Sequence, residues 1–573
     1  MAPALKKYDW ILAITTIAFV ASSASNGAND VANSYATSVA ARTLKMWQAG
    51  ILACFTEFLG AVALGSRVTG TIKSGIFALE TFENAPATLM LAMGCAEVGS
   101  AIFLTVATFA GMPVSTTQTV VGALAGAGIA AQSPLSWGWK SGSISQIAAS
   151  WVVAPFLAAA FSAVLFLTIK FAVHNRKDPF KWGMRLIPFY LAFTAGVLAL
   201  FIIDELPNGQ SLEEMGAGKA CGIILGVFFG MLAISYIFFV PYFTRRLVKG
   251  DTRLRAWHIP LGPLLYRENP PIYFPGKGDE VVTDYYAKAA PVESQQENLK
   301  GEKGTGRSTS VDNKSTGGSD NIDVEGGRGL SRPLPRDGPV THVIPATPEP
   351  EERWLKPVEH LPFYAPKKIA NWAKYIFLQG VSRDCVSHDG LADIHSRAIV
   401  YDNRVEHLWT YAQVASAMMM SIAHGSNDVA NAVGPWVGSY NTYTTGIVTK
   451  EADTPIWILV VAGLLLGIGF WFYGYHIMRA LGNKITQVSP TRGFSMELGA
   501  AITVLLASRL ALPVSTTQCL TGATIGVALC NFDLKAVNWK QVGFIFSGWI
   551  ITLPGAGLIS GLMMVMALNT PHF

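Results

Sequence analysis

The chain has 573 residues, of which 51% are hydrophobic and 14% charged, against about a quarter charged in an ordinary soluble protein, so a water-soluble globular protein is set aside. A formal net charge of +5 is too small for this length to point to nucleic acid. The six cysteines are scattered without any Cys-x-x-Cys spacing, which gives neither a disulfide frame nor a metal site.

The apolar residues gather in runs at 10–24, 51–64, 89–110, 151–169, 186–203, 221–243, 457–472 and 542–566. Several approach or exceed the roughly 20 residues needed to cross a hydrocarbon core as helix. Lys6 and Lys7 ahead of the first run have the look of a secretory signal peptide. That reading fails, because the sequence after the run recurs later in the chain, and the run is taken as a membrane span.

Residues 27–33 read Gly-Ala-Asn-Asp-Val-Ala-Asn. As helix they place Asn26, Asn29, Asp30 and Asn33 at i, i+3, i+4 and i+7, one polar stripe. A carboxylate flanked by carboxamides is a set of hard oxygen donors suited to a small hard cation. Inside a membrane such a set is costly unless it faces the protein interior or binds something. Hydrogen bonding between helices is the structural alternative. The neighbouring glycine and alanines allow close packing, or a break in the helix that would add carbonyl ligands.

Glu57 and Glu97 follow, both inside apolar runs. Pro113-Val-Ser-Thr-Thr-Gln118 comes next. Proline suits the first turn of a helix, which puts Ser115, Thr116 and Thr117 beside free backbone N–H groups. A helix N-terminus of this kind is a site for an anion. Gln118 offers both a donor and an acceptor. Hydroxyls bonding back to the preceding turn are the alternative, which explains one hydroxyl better than three.

Arg176, Lys177, Lys181 and Arg185 lie between two apolar runs, and Arg245, Arg246 and Lys249 follow a run two crossings later. Asp204, Glu205, Glu213 and Glu214 sit in the loop between. The positive-inside tendency places the basic loops in the cytoplasm and the acidic loop outside. Residues 249–403 are a different material, and 295–350 is rich in Gly, Ser, Pro, Asp and Lys, a composition that predicts a largely disordered cytoplasmic loop. A passive linker is the simpler reading, with regulation through Ser308 or Ser310 beside Arg307 as the alternative.

Beyond the insert the first half returns. Gly425-Ser-Asn-Asp-Val-Ala-Asn431 repeats the first motif, with His424, Asn427, Asp428 and Asn431 on the same stripe, and Pro513-Val-Ser-Thr-Thr-Gln518 repeats the second. Glu497 stands as far before its Ser515, Thr516, Thr517 and Gln518 as Glu97 does before its own cluster. Glu57 and Arg509 have no counterparts. The chain thus divides into a transmembrane half at 1–248, the polar insert at 249–403, and a second transmembrane half at 404–573. Repeated halves with broken polar segments in matching positions are a mark of secondary transporters, whose sites lie near the midplane where the repeats meet. The residues alone leave open whether the repeats are inverted.

At these two motifs the chain resembles the inorganic phosphate transporter family of sodium–phosphate symporters, over roughly 8–245 and 405–570. Length and central loop are similar to the fungal branch of that family. The resemblance implies an all-α polytopic membrane protein with about twelve transmembrane helices. These would form two inverted-topology repeats with broken or re-entrant segments, assembled as a homodimer. It implies phosphate at Ser115, Thr116, Thr117, Gln118, Ser515, Thr516, Thr517 and Gln518. It implies sodium at Asn29, Asp30, Asn33, Asn427, Asp428 and Asn431, with Asp30 and Asp428 as the metal carboxylates. Glu57 and Glu497 match acidic positions that matter in related transporters; Glu97, like Glu497, reads from its place in an apolar run as a sodium ligand, a proton carrier or a structural partner. No cofactor beyond the coupling ion is implied, and the expected location is the plasma membrane.

Charge suggests the mechanism: sodium at each aspartate removes the repulsion that an anion would meet in a weakly screened interior. The rivals are proton coupling on the same scaffold, a sulfate or arsenate substrate, and a transporter that also senses nutrient. An enzyme acting on phosphate esters is set aside, since the sequence has no metal cluster of His and Asp, no Walker-type loop and no nucleophile–base pair.

Overall fold

The computed structural model describes residues 3–139, 142–205, 215–276, 281–289, 343–344, 347–386, 392–449 and 454–570. The first half supplies α1 (Asp9–Ala40), α2 (Met46–Leu64), α3 (Ser66–Ser74), α4 (Pro86–Phe109), α5 (Thr116–Ala130), α6 (Ile144–Ile169), α7 (Pro179–Glu205) and α8 (Ala217–Ile234). The insert contributes α9 (Pro366–Leu378). The second half supplies α10 (Asn403–Leu408), α11 (Thr410–Thr445), α12 (Ile456–Tyr473), α13 (Tyr475–Leu481), α14 (Pro490–Arg509), α15 (Thr516–Leu529) and α16 (Trp539–Asn569). The chain is a helical, polytopic membrane protein. Among the described residues, eight helical stretches are long and apolar enough to span a bilayer. α11 and α14, of 36 and 20 residues, are long enough but too polar to qualify, since α11 carries the motif at 425–431 and α14 carries Arg492, Glu497 and Arg509.

The expected break at the first motif is absent. α1 runs unbroken through 27–33 and α11 through 425–431. Their small residues serve the other purpose, close packing. A Cβ on Gly27 would collide with the Leu466 carbonyl of α12, and one on Gly425 would come within 2.6 Å of the Glu57 carbonyl of α2. Each glycine lets a motif helix cross its neighbour almost backbone to backbone.

The breaks lie at the second motif. α4 and α5 form one helical hairpin, α14 and α15 the other. Pro86 and Pro490 open α4 and α14 in the first helical turn, where a missing N–H costs nothing. Each hairpin turns through a left-handed residue, Gly111 at φ +65° and Ala511 at φ +52°. Ser115 and Ser515 then cap α5 and α15, each accepting a hydrogen bond from the backbone N–H of Gln118 or Gln518. The proline of the motif therefore sits two residues before the cap, not in the first turn. α5 lies along α16 through Gly122 and Gly126, and α15 along α6 through Gly522 and Gly526.

Residues 295–350, read as disordered, lie outside the described residues except at 343–344 and 347–350. The described start of the insert folds back on the bundle. Arg42 donates to the carbonyls of Asp284 and Ala287 at 2.9 and 2.6 Å, and Arg246 bonds the Leu254 carbonyl. Tyr285 is buried with its hydroxyl 2.7 Å from His407 Nδ1.

Candidate functional site

α1 and α11 cross with their polar stripes facing each other and facing the two hairpin tips. Asn26 donates to the backbone carbonyl of Asp428 at 2.9 Å, which joins the halves directly. Asn29 and Asn427 hold the hairpin tips. Asn29 donates to Thr108 and the Met112 carbonyl and accepts from Val114 N–H at 3.1 Å. Asn427 does the same with Ser508, Leu512 and Val514. Both carboxamides are thereby engaged with loop atoms.

Asp30 is fully buried and well supplied with donors. Its Oδ1 accepts from Asn33 at 3.1 Å and Thr517 at 2.6 Å, and its Oδ2 from the Thr116 hydroxyl at 2.6 Å and amide at 3.3 Å. The aspartate of the first half is thus gripped by both hairpins. Asp428 accepts from Thr516 at 3.1 Å and lies 3.4 Å from the Thr116 hydroxyl. Asn431 donates to Thr116 and Thr117, while Asn33 donates to Thr517 at 2.9 Å. The hairpin tips also meet each other: Thr117 donates to the Val514 carbonyl at 3.0 Å, and the Thr517 hydroxyl, whose proton goes to Asp30, lies 3.1 Å from the Val114 carbonyl.

The oxygens that remain are informative. Asp428 Oδ1, the Oδ1 atoms of Asn26, Asn33 and Asn431, and the Oε1 atoms of Gln118 and Gln518 are all buried without a hydrogen-bond donor among the described residues. A buried polar atom left unpaired is costly, and oxygen is the ligand a hard cation takes. This donor set fits sodium, a small cation whose charge would also neutralise the aspartates. Gln118 and Gln518 face a cavity of about 480 Å³ between α6 and α16.

Glu57, His424 and Asp428 form a chain that spacing alone did not reveal. His424 Nδ1 lies 2.7 Å from Glu57 Oε2, its Nε2 lies 3.1 Å from Asp428 Oδ2, and Ser421 donates to Glu57 at 2.5 Å. Asp30, His424 and Asp428 bring one ligand atom each within 4.8 Å of one another, a His–Asp cluster that the linear sequence did not display. The available signal was the replacement of Asn26 by His424 on an otherwise identical stripe, with an unmatched carboxylate at Glu57.

The two matched glutamates differ. Glu497 accepts from Thr37 and Ser38 at 2.6 Å, Ser416 at 2.7 Å and Gln413 at 3.3 Å, joining α1, α11 and α14. Glu97 is equally buried and faces the Ser22 hydroxyl, yet no bond of normal geometry satisfies its carboxylate among the described residues. Neither glutamate joins the central cluster around Asp30 and Asp428.

Comparison with known proteins identifies the family. The model of the phosphate transporter family matches residues 26–560. A phosphate-repressible phosphate permease of Neurospora crassa is 39% identical, covering 99% of both chains. The sodium-dependent phosphate transporter 1-B of Danio rerio is 28% identical, over 98% of this chain and 96% of that one. A solved sodium-dependent phosphate transporter shares the fold with a TM-score of 0.63 at 24% identity, over 98% of this chain and all of that one.

Proposed function

The chain belongs to the phosphate transporter family, and from that premise we propose that it carries inorganic phosphate across the membrane in symport with sodium, by alternating access. It is a transporter rather than an enzyme, as its relatives are. The observation that carries the finer reading is the convergence of two aspartates, a group of unpaired buried oxygens and two capped helix N-termini at one place.

Phosphate binds between the N-terminal ends of α5 and α15, where hydroxyls of Thr116, Thr117, Thr516 and Thr517 meet the positive ends of two helices. Ser115 and Ser515 shape those ends as caps. Sodium binds at Asp30 and Asp428 with Asn33 and Asn431. Asn29 and Asn427 hold the hairpin tips in register. Like charges in a poorly screened interior repel strongly, so empty aspartates discourage phosphate and loaded ones admit it. Linkage then requires phosphate to tighten sodium by the same factor. Glu497, reached by four donors, is a further sodium ligand off the central site, and Glu57 tunes Asp428 through His424. Glu97, the counterpart of Glu497 in the first half, offers two unpaired carboxylate oxygens to a cation.

The two halves act as inverted repeats and the chains pair as homodimers in the plasma membrane, with the insert in the cytoplasm. Proton coupling is the second reading, favoured by His424 between two carboxylates. Phosphate uptake into proteoliposomes, with sodium or choline outside at one pH, tests the proposal. Uptake that ignores the sodium gradient would overturn it and leave proton coupling standing.

A further inference from the structure

We propose that α9 of the insert is an interfacial helix that lies in the headgroup region of the bilayer and binds anionic phospholipid. The reasoning starts from its sequence, Pro-Lys-Lys-Ile-Ala-Asn-Trp-Ala-Lys-Tyr-Ile-Phe-Leu over Pro366–Leu378. At helical spacing Ile369, Trp372, Ile376 and Phe377 fall on one side. These four side chains are 56%, 46%, 49% and 64% exposed, and the helix buries none of its residues. So large an apolar stripe on a short helix is not left to water.

The opposite side is already occupied. Asn371 donates to the Trp354 carbonyl at 3.1 Å, and the Tyr375 hydroxyl donates to Glu351 at 3.1 Å. That support is tied to the bundle in turn, because Arg383 and Arg479 both pair with Glu349. The apolar face therefore has a fixed direction, away from the insert's own packing.

The height of the helix is fixed as well. Trp471, at the C-terminal end of α12, donates its indole N–H to the Phe377 carbonyl at 2.7 Å. A Cβ on Gly380 would collide with the Trp471 and Phe472 carbonyls, and Gly50 of α2 packs against the Trp471 ring. The start of α2 and the end of α12, where Trp47 and Tyr473 are exposed, are thus level with the end of α9. Tryptophan and tyrosine of this kind mark the membrane–water interface.

Charge then selects the lipid. Lys367 and Lys374 flank the apolar stripe on one side and Lys368 on the other. Lys368 is held by the Leu361 carbonyl at 2.7 Å, while Lys367 and Lys374 are exposed. Lysines at the edges of an apolar helical face reach up to headgroups while their stems stay in the acyl boundary. Each basic residue near an anionic surface strengthens attachment severalfold. Phe363 and Tyr364, exposed in the turn before the helix, extend the same face.

The test uses the full chain in vesicles of neutral phosphatidylcholine, with or without phosphatidylserine. A photoreactive benzoylphenylalanine replaces Ile369 or Ile376, and the same group at Phe546, exposed on the spanning helix α16, serves as the positive control. The expected result is a phospholipid adduct at both positions, enriched in phosphatidylserine. Lys367→Glu with Lys374→Glu should lower it by at least about fivefold in anionic vesicles. An adduct to a second copy of the chain, or none at Ile369 and Ile376 beside a lipid adduct at Phe546, overturns the membrane contact. Equal adducts in neutral and anionic vesicles overturn the anionic preference. Because both leaflets share one composition, the outcome does not depend on which side the insert occupies or on what the protein transports.

Discussion

At Asp30 four donors from three helices converge on one carboxylate. Replacing it with asparagine keeps the shape and removes the charge. A buried ligand charge of this kind is worth about 2–5 kcal/mol, so Asp30→Asn should cut sodium-dependent uptake at least about tenfold while the protein remains folded in the membrane. Surface abundance and uptake measured together check this, and unchanged sodium dependence would refute the role. His424→Asn gives the second stripe the chemistry of the first. Sodium coupling predicts that uptake by this variant keeps its sodium requirement, measured with sodium or choline outside, and loss of that requirement would favour proton coupling through His424. Outside the spanning helices, burial and then Arg246 push the His407 imidazole down from 6.5 to about 3. A depressed histidine is neutral in the fold and charged in the undocked chain between those two values. The docking of Tyr285 on His407 therefore weakens as pH falls from 6.5 toward 3. A lower amide protection factor over 283–287 at pH 5 than at pH 7.5, with the intrinsic exchange rate at each pH divided out, is the expected outcome, and His407→Gln should abolish the difference.

The hairpins and helix crossings set the next scale. Gly111 and Ala511 occupy equivalent left-handed turns, a conformation that costs an alanine about 1–2 kcal/mol relative to glycine. Ala511→Gly should therefore stabilise the second hairpin by about 1 kcal/mol, read as a higher midpoint in thermal unfolding. An unchanged or lowered midpoint would show that the turn is relaxed as it stands. Gly126 tests the crossings in the opposite sense. A Cβ there meets the Gly557 carbonyl of α16, and a helix cannot yield locally when backbone meets backbone. Gly126→Val should separate α5 from α16, displace the Thr116 end of α5 and abolish uptake. Retained transport in that variant would mean that the crossing does not hold the anion end in place.

For the whole molecule, the pairing of motifs across 400 residues makes each half incomplete without the other. Thr517 of the second half donates to Asp30 of the first, and Asn431 donates to Thr116 and Thr117. Neither half expressed alone should transport, whereas the two co-expressed should recover sodium-dependent uptake if they assemble. Residues 295–340 carry none of these paired motifs. Their deletion is expected to leave uptake unchanged, and a fall in uptake would point to regulation instead.

The membrane class, the internal repeat and most of the residues that meet at the centre are legible in the sequence. A polar stripe in an apolar run and its near-copy 400 residues later are local patterns, readable from spacing because helix geometry is regular. The sequence also placed the helix ends beside the Ser-Thr-Thr clusters, since capping is a matter of neighbouring residues. The tertiary structure alone decided which stripe atoms were already engaged. Asn29 and Asn427 bind loop carbonyls, Glu57 reaches Asp428 through His424, and Glu497 gathers four donors while Glu97 does not. α9 was hidden for a similar reason, because its composition blends into a polar insert and only its packing shows which face is left uncovered. Such facts depend on how helices far apart in the chain are oriented, and side-chain direction across a crossing is not encoded in the spacing of either partner.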